Sequence, residues 1–291
     1  MKPSVHTTVK TLLAEKLAKL EDHFNADVFC YYGAIVDELE NQILGIIEDL
    51  VSDPDKKDRL IIVLTTKGGS AIAVERYVNI IRHHYAIVDF IVPDYAYSAG
   101  TIFCMSADDN IYMDYFSVLG PIDPQVQNKE GKWVAALGYL DKVNETIEKS
   151  RNDTITHAEF LMIKDLDLAE LRGYEQAKEL TIDLFKKWLV KYKFKNWSKH
   201  ATNTELLGSE VTLKEKQQRA EEIAEQLSDN TVWKTHGRPI NIERLRELRL
   251  KIEDFSLDQT VRELVRDYYD LLSDYIDGNN QSIFVNTRKY I

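Results

Sequence analysis

Between residues 26 and 127 short apolar runs alternate with segments of helical spacing, and this rhythm restricts the chain to few folds. R-L-I-I-V-L-T-T at 59–66 has a continuous apolar centre, and I-V-D-F-I-V at 87–92 is broken by a single Asp. Runs of this kind belong to strands buried on both faces. D-V-F-C-Y-Y from residue 27 and N-I-Y-M-D at 110–114 read as two further strands. Between them, 35–52 has the i, i+3, i+4, i+7 apolar spacing of a helix, and 71–84 puts Ala71, Val74, Val78 and Ile81 on one helical face. Alternation of strand and helix predicts an α/β fold with a mainly parallel sheet and helical crossovers.

From about 133 to 228 the pattern changes to long helical segments, with no internal repeat and no low-complexity linker. This half is read as an extension of one domain. The expected organisation is an N-terminal amphipathic helix over 1–25, packed on the body or on another subunit, then a main domain over 26–255 with a helical insertion at about 133–228. A C-terminal helix and tail follow over 256–291, where S-I-F-V-N-T suits a short strand. With 44% hydrophobic residues, a chain of 291 residues can bury a real core. A net charge of −11 disfavours nucleic acid, which would need a basic face. Cys30 and Cys104 both sit in apolar stretches and suggest neither a disulfide framework nor a cysteine zinc site. Charges interrupt every apolar run near the N-terminus, so neither a signal peptide nor a membrane span is expected, and a cytoplasmic protein is.

Three short pieces could form one site. T-T-K-G-G-S at 65–70 joins a buried strand to a helix, and adjacent glycines let the backbone turn sharply and leave N–H groups free to face an anion. Ser70 there suits a helix N-cap. P-D-Y-A-Y-S-A-G-T at 93–101 places Ser98 at a strand-to-helix turn, where it is either an inert cap or a nucleophile with helix N-terminal donors beside it. V-L-G-P-I-D-P-Q at 118–125 is rigid and non-helical and could hold the Asp123 carboxylate in one direction. A serine nucleophile needs a base. Of seven histidines, His236 stands apart, in the strand-and-turn passage V-W-K-T-H-G-R-P-I between two helices.

In this order the pieces resemble the serine dehydrogenase proteinase family of Clp-fold serine proteinases, distant relatives of the Clp protease proteolytic subunit and of signal peptide peptidase A. The resemblance covers about residues 58–127 and 215–250. It implies a Clp/crotonase-like spiral of β-β-α units and a triad in the chain order Ser98 nucleophile, Asp123 orienting acid, His236 general base. By analogy with related folds, the main-chain N–H groups of Gly69 and Ala99 are the oxyanion-hole candidates, and Gly68 and Tyr97 the candidates for substrate contact. Signal peptide peptidase A pairs Ser with Lys, which keeps Lys234 and Lys67 open as alternative bases. The family's membrane-bound members have a hydrophobic N-terminal anchor, and no such anchor is expected here.

The resemblance implies no metal and no organic cofactor. The implied activity is that of a serine endopeptidase on peptides or unfolded protein segments, working as a closed homo-oligomer, with or without an accessory protein. Two readings stand against it: a catalytically silent scaffold that binds a protein partner through its helical half, and a crotonase-type enzyme acting on coenzyme A thioesters.

Overall fold

The computed structural model describes residues 4–108, 110–127, 131, 133–164, 166–201 and 204–291. Its centre is a sheet built from β1 (Asp27–Gly33), β2 (Arg59–Thr65), β3 (Ile87–Val92) and later strands. Each continuous apolar run splits by strand period into two faces. Phe29, Tyr31, Leu60, Ile62, Leu64, Val88 and Phe90 enter one core, while Val28, Cys30, Ile61, Val63 and Ile91 enter the other. Both faces of these strands are therefore covered, which explains why polar residues are so few within them.

Short second strands follow the long ones: β4 (Tyr95–Ala96) after β3, and β6 (Val118–Leu119) after β5 (Ile111–Met113). β4 pairs in parallel with β6, Thr66 bridges to Ala96, Ile35 bridges to Gly69, and Leu119 bridges to Ile240. The chain thus repeats a long strand, a short extended stretch and a helix. The helices of successive units are α2 (Glu40–Val51), α3 (Ala71–His84) and α4 (Ala99–Cys104). This is the β-β-α arrangement expected, with the short stretches lined up as a strip beside the main sheet.

A hairpin of β7 (Gln125–Gln127) and β8 (Trp133–Ala135), antiparallel, precedes the helices α5 (Ala136–Arg151), α6 (His157–Lys164), α7 (Leu168–Trp188) and α8 (Leu213–Ser228). α9 (Asn230–Trp233) and α10 (Ile242–Glu247) are short, and β9 (Glu253–Asp254) returns to the sheet edge beside β5. α11 (Gln259–Gly278) and β10 (Ile283–Asn286) close the chain. The main sheet runs β10-β1-β2-β3-β5-β9, parallel except for β10, which lies antiparallel to β1.

α1 (Val5–Phe24) buries Leu13, Leu17 and Leu20 on the same sheet face that α11 covers with Val265, Tyr268 and Leu272. α2, α3, α4, α7 and α8 cover the opposite face. Cys30 and Cys104 are buried in different cores, and loss of water raises both thiols, that of Cys30 to about 12. Among the described residues no helix is long and apolar enough to cross a membrane.

Candidate active site

The strip of short strands brings the three pieces together. Tyr97 N–H donates to the Thr66 carbonyl and Thr66 N–H to the Tyr95 carbonyl, each at 3.0 Å, so the glycine turn and the serine turn lie side by side. Ser98 occupies the N-cap position of α4 with φ 52° and ψ −116°, a strained conformation for a residue with a Cβ. Its side chain makes no capping hydrogen bond. Ser70, by contrast, accepts from Ala73 N–H at 3.1 Å and donates to Asp37 Oδ1 at 2.8 Å. Of the two serines at strand-to-helix turns, Ser70 is the cap, and Ser98 is buried at its turn without capping α4.

The glycines explain how the turns approach so closely. A Cβ on Gly68, whose φ is +101°, would fall 2.8 Å from Ser98 Cβ and 3.3 Å from its Oγ. Gly69 has φ +146°, and a Cβ there would meet the Ile35 carbonyl oxygen at 1.9 Å. Ile35 donates to the Gly68 carbonyl and accepts from Ser70 N–H, both at 2.9 Å. That ladder passes over the Gly69 N–H. Ala99 begins α4, where the first N–H groups have no acceptor inside the helix. Tyr97 is half-buried beside Ser98, with its ring 5.7 Å from that of Tyr95.

Asp123 is 1% exposed. Its Oδ1 accepts from Leu137 N–H at 3.2 Å, in the first turn of α5, while Oδ2 has no hydrogen-bond partner. Facing it at 4.0 Å is Nδ1 of His236, which also lacks a partner. Burial pushes the Asp123 carboxyl up to about 6, against a smaller downward pull from the Leu137 N–H. Burial also lowers the His236 imidazole below its usual value, opposed in part by the Asp123 main-chain carbonyl. Lys234 and Lys67 are both exposed.

Thr101 ties the serine helix to the acid segment. Its hydroxyl lies 2.9 Å from the carbonyl oxygens of both Ala96 and Gly120 and accepts from Gly120 N–H at 3.0 Å. Leu119 and Ile240 exchange N–H···O bonds of 3.0 and 2.9 Å, which brings the His236 turn alongside. A Cβ on Gly120 would lie 2.4 Å from the Tyr97 ring, so this glycine lets the acid segment pass close by the serine turn. Sequence reasoning overlooked Thr101; the run S-A-G-T contained it, but a buried threonine has no local signature.

Two details differ from the sequence expectation. Val232 and Trp233 end the one-turn helix α9, with Asp229 accepting from both of their N–H groups, so His236 follows a helix and a turn where a strand was expected. The β7–β8 hairpin also went unforeseen, since three-residue strands are too short for alternation to show. Among the described residues no three His, Cys, Asp or Glu come together to hold a metal ion.

A model of the ClpP-like SDH-type serine proteinases matches residues 35–212. Two similar proteins come from Methanocaldococcus jannaschii, and both are described only as uncharacterized. MJ1495 is 28% identical over 207 residues, 71% of this chain and 56% of its own length. MJ0137 is 33% identical over 135 residues, 43% of this chain and 45% of its own length. The chain thus spans about half the length of these relatives.

Proposed function

The chain belongs to the ClpP-like SDH-type serine proteinase family, and from that premise we propose that it is a serine peptidase with Ser98 as nucleophile. The observation that carries this reading is the Ser98 turn: a strained backbone holds a hydroxyl at the start of α4 that does not cap the helix. A serine with only a structural task there would be expected to cap.

In this reading Ser98 Oγ attacks a peptide carbonyl, and its proton passes to His236. The carbonyl oxygen gains negative charge as the tetrahedral intermediate forms, and the N–H groups of Gly69 and Ala99 stabilise it. Collapse expels the amine, which takes the proton from His236 and leaves an acyl group on Ser98. Water then attacks, with His236 accepting its proton and returning it to Ser98 Oγ as the bond to the acyl group breaks and the acid is freed. Nδ1 faces Asp123, which leaves Nε2 to handle the serine proton, and the carboxylate would orient the ring and stabilise its charged form. The 4.0 Å gap closes to a hydrogen bond when the site is in its working geometry. Gly68 and Tyr97 flank Ser98 and would contact the substrate chain. The sheltered site of such a peptidase comes from assembly into a closed homo-oligomer.

One observation favours the silent-scaffold reading: Asp123 already serves α5 through Leu137. Intact mass after incubation with a fluorophosphonate decides between them. The expected result is one adduct on the native protein and none on Ser98→Ala, with His236→Ala labelled far more slowly. A native, assembled protein without adduct would remove the peptidase reading.

A further inference from the structure

A groove of about 630 Å³ opens beside the His236 turn, and the triad chemistry gives it no task. Trp233 and Arg238, which flank His236 in the chain, line it together with Arg244, Tyr115, Phe116 and Val118. Val118 is the β6 residue paired with Tyr95, so the groove begins one strand away from the serine turn. Its size is that of a site for a small ligand or a few peptide residues.

The walls are aromatic and partly open. Tyr115 is 65% and Phe116 39% exposed, with their rings edge to face at 5.4 Å. Trp233 is buried and fixed by its indole N–H, which donates to the Gln226 carbonyl at 2.6 Å. Exposed rings in a concavity with a rigid indole beside them suit an apolar side chain.

Four arginines surround these rings, and three are already neutralised. Arg262 lies over Tyr115 and pairs with Asp114 at 3.3 Å, Arg266 lies over Phe116 and pairs with Asp270, and Arg244 lies over Trp233 and pairs with Glu247. Arg238 differs. It is exposed, and among the described residues no carboxylate pairs with it. A chain of net charge −11 thus presents an unpaired guanidinium in an aromatic groove beside its candidate base.

We propose that this groove is a substrate subsite for peptide segments that join an aromatic or apolar side chain to a carboxylate. The ring packs against Tyr115, Phe116 and Trp233, and Arg238 takes the carboxylate in two parallel N–H···O bonds. The occupant rests on the peptidase reading. The local positive charge offsets the repulsion that an acidic segment would otherwise meet from an acidic protein.

The test is fluorescence anisotropy with three labelled peptides and the Ser98→Ala protein at low ionic strength, where screening is weak. One peptide is capped at both ends and carries Phe-Glu, the second is its capped Phe-Gln counterpart, and the third is the Phe-Gln peptide with a free terminal carboxylate. The expected result is about 10-fold tighter binding of a carboxylate peptide than of the neutral one. Arg238→Gln should bring it down to the neutral peptide's affinity, and Arg238→Lys should retain part of the preference. Which of the two carboxylate peptides gains identifies a side-chain or a terminal carboxylate. Equal affinities for all three, or a preference that survives Arg238→Gln, would overturn the proposal. Binding is read here without hydrolysis, so absence of a fluorophosphonate adduct tells against the peptidase reading and absence of a charge preference tells against the groove.

Discussion

Asp123 is the residue at which function and stability pull apart. Burial raises its folded pKa to about 6, above the ordinary carboxyl value near 4, so a bound proton favours the folded chain. The stability it contributes is full below pH 4 and is lost as pH rises through about 6. At neutral pH the buried charge therefore costs roughly 3 kcal/mol, by the conversion of a shift of about two units. Asp123→Asn should remove that cost. Urea denaturation should show the variant more stable than the parent at pH 8 and the difference closing towards pH 4; a variant less stable at pH 8 would contradict this. Peptide hydrolysis should behave in the opposite way. The proposed triad needs an ionised Asp123 and a neutral His236, so kcat/KM of the parent should rise through about pH 6, and the variant should lose roughly 10⁴-fold of it. The identity of Asp123 as a candidate was legible in G-P-I-D-P because prolines constrain the backbone locally. Its burial and its partner on α5 were not, because they depend on a helix packed from another segment.

Among the elements, the strip of short strands organises the site. β4, β6, the glycine turn and Ile240 lie side by side, and Thr101 pins α4 to β4 and to the Gly120 segment with one hydroxyl. Thr101→Val keeps the shape and removes the hydroxyl, leaving a buried N–H and buried carbonyls short of partners. The expected cost is about 2–3 kcal/mol in denaturation, together with slower fluorophosphonate labelling of Ser98 as α4 shifts against the acid segment. Unchanged stability would mean that water replaces the hydroxyl. The long strands could be read from the sequence because a short apolar run bounded by turns is too brief for a buried helix and suits a strand covered on both faces. Two-residue strands have no period, so β4 and β6 emerge only where the folded chain supplies neighbours for them.

For the whole molecule, the sheet is covered on both faces, by α1 and α11 on one and by α2, α3, α4, α7 and α8 on the other. α1 therefore spends its apolar stripe on its own sheet, and the proposed assembly would use other surfaces. Light scattering should give a mass of at least three 33.7 kDa subunits; a monomer independent of concentration would contradict the closed assembly. The order of the long strands and the helices between them, the two-faced burial of those strands and the places of Ser98, Gly68, Gly69 and Asp123 could be read from the amino-acid string. They follow from periodicity and turn chemistry, which act over a few residues. The folded chain was needed to show that the Ser98 hydroxyl is not a cap, that Asp123 and His236 face each other, and that Arg238 lines an aromatic groove with no carboxylate paired to it among the described residues. Those facts depend on contacts between segments far apart in sequence, for which local pattern holds no record.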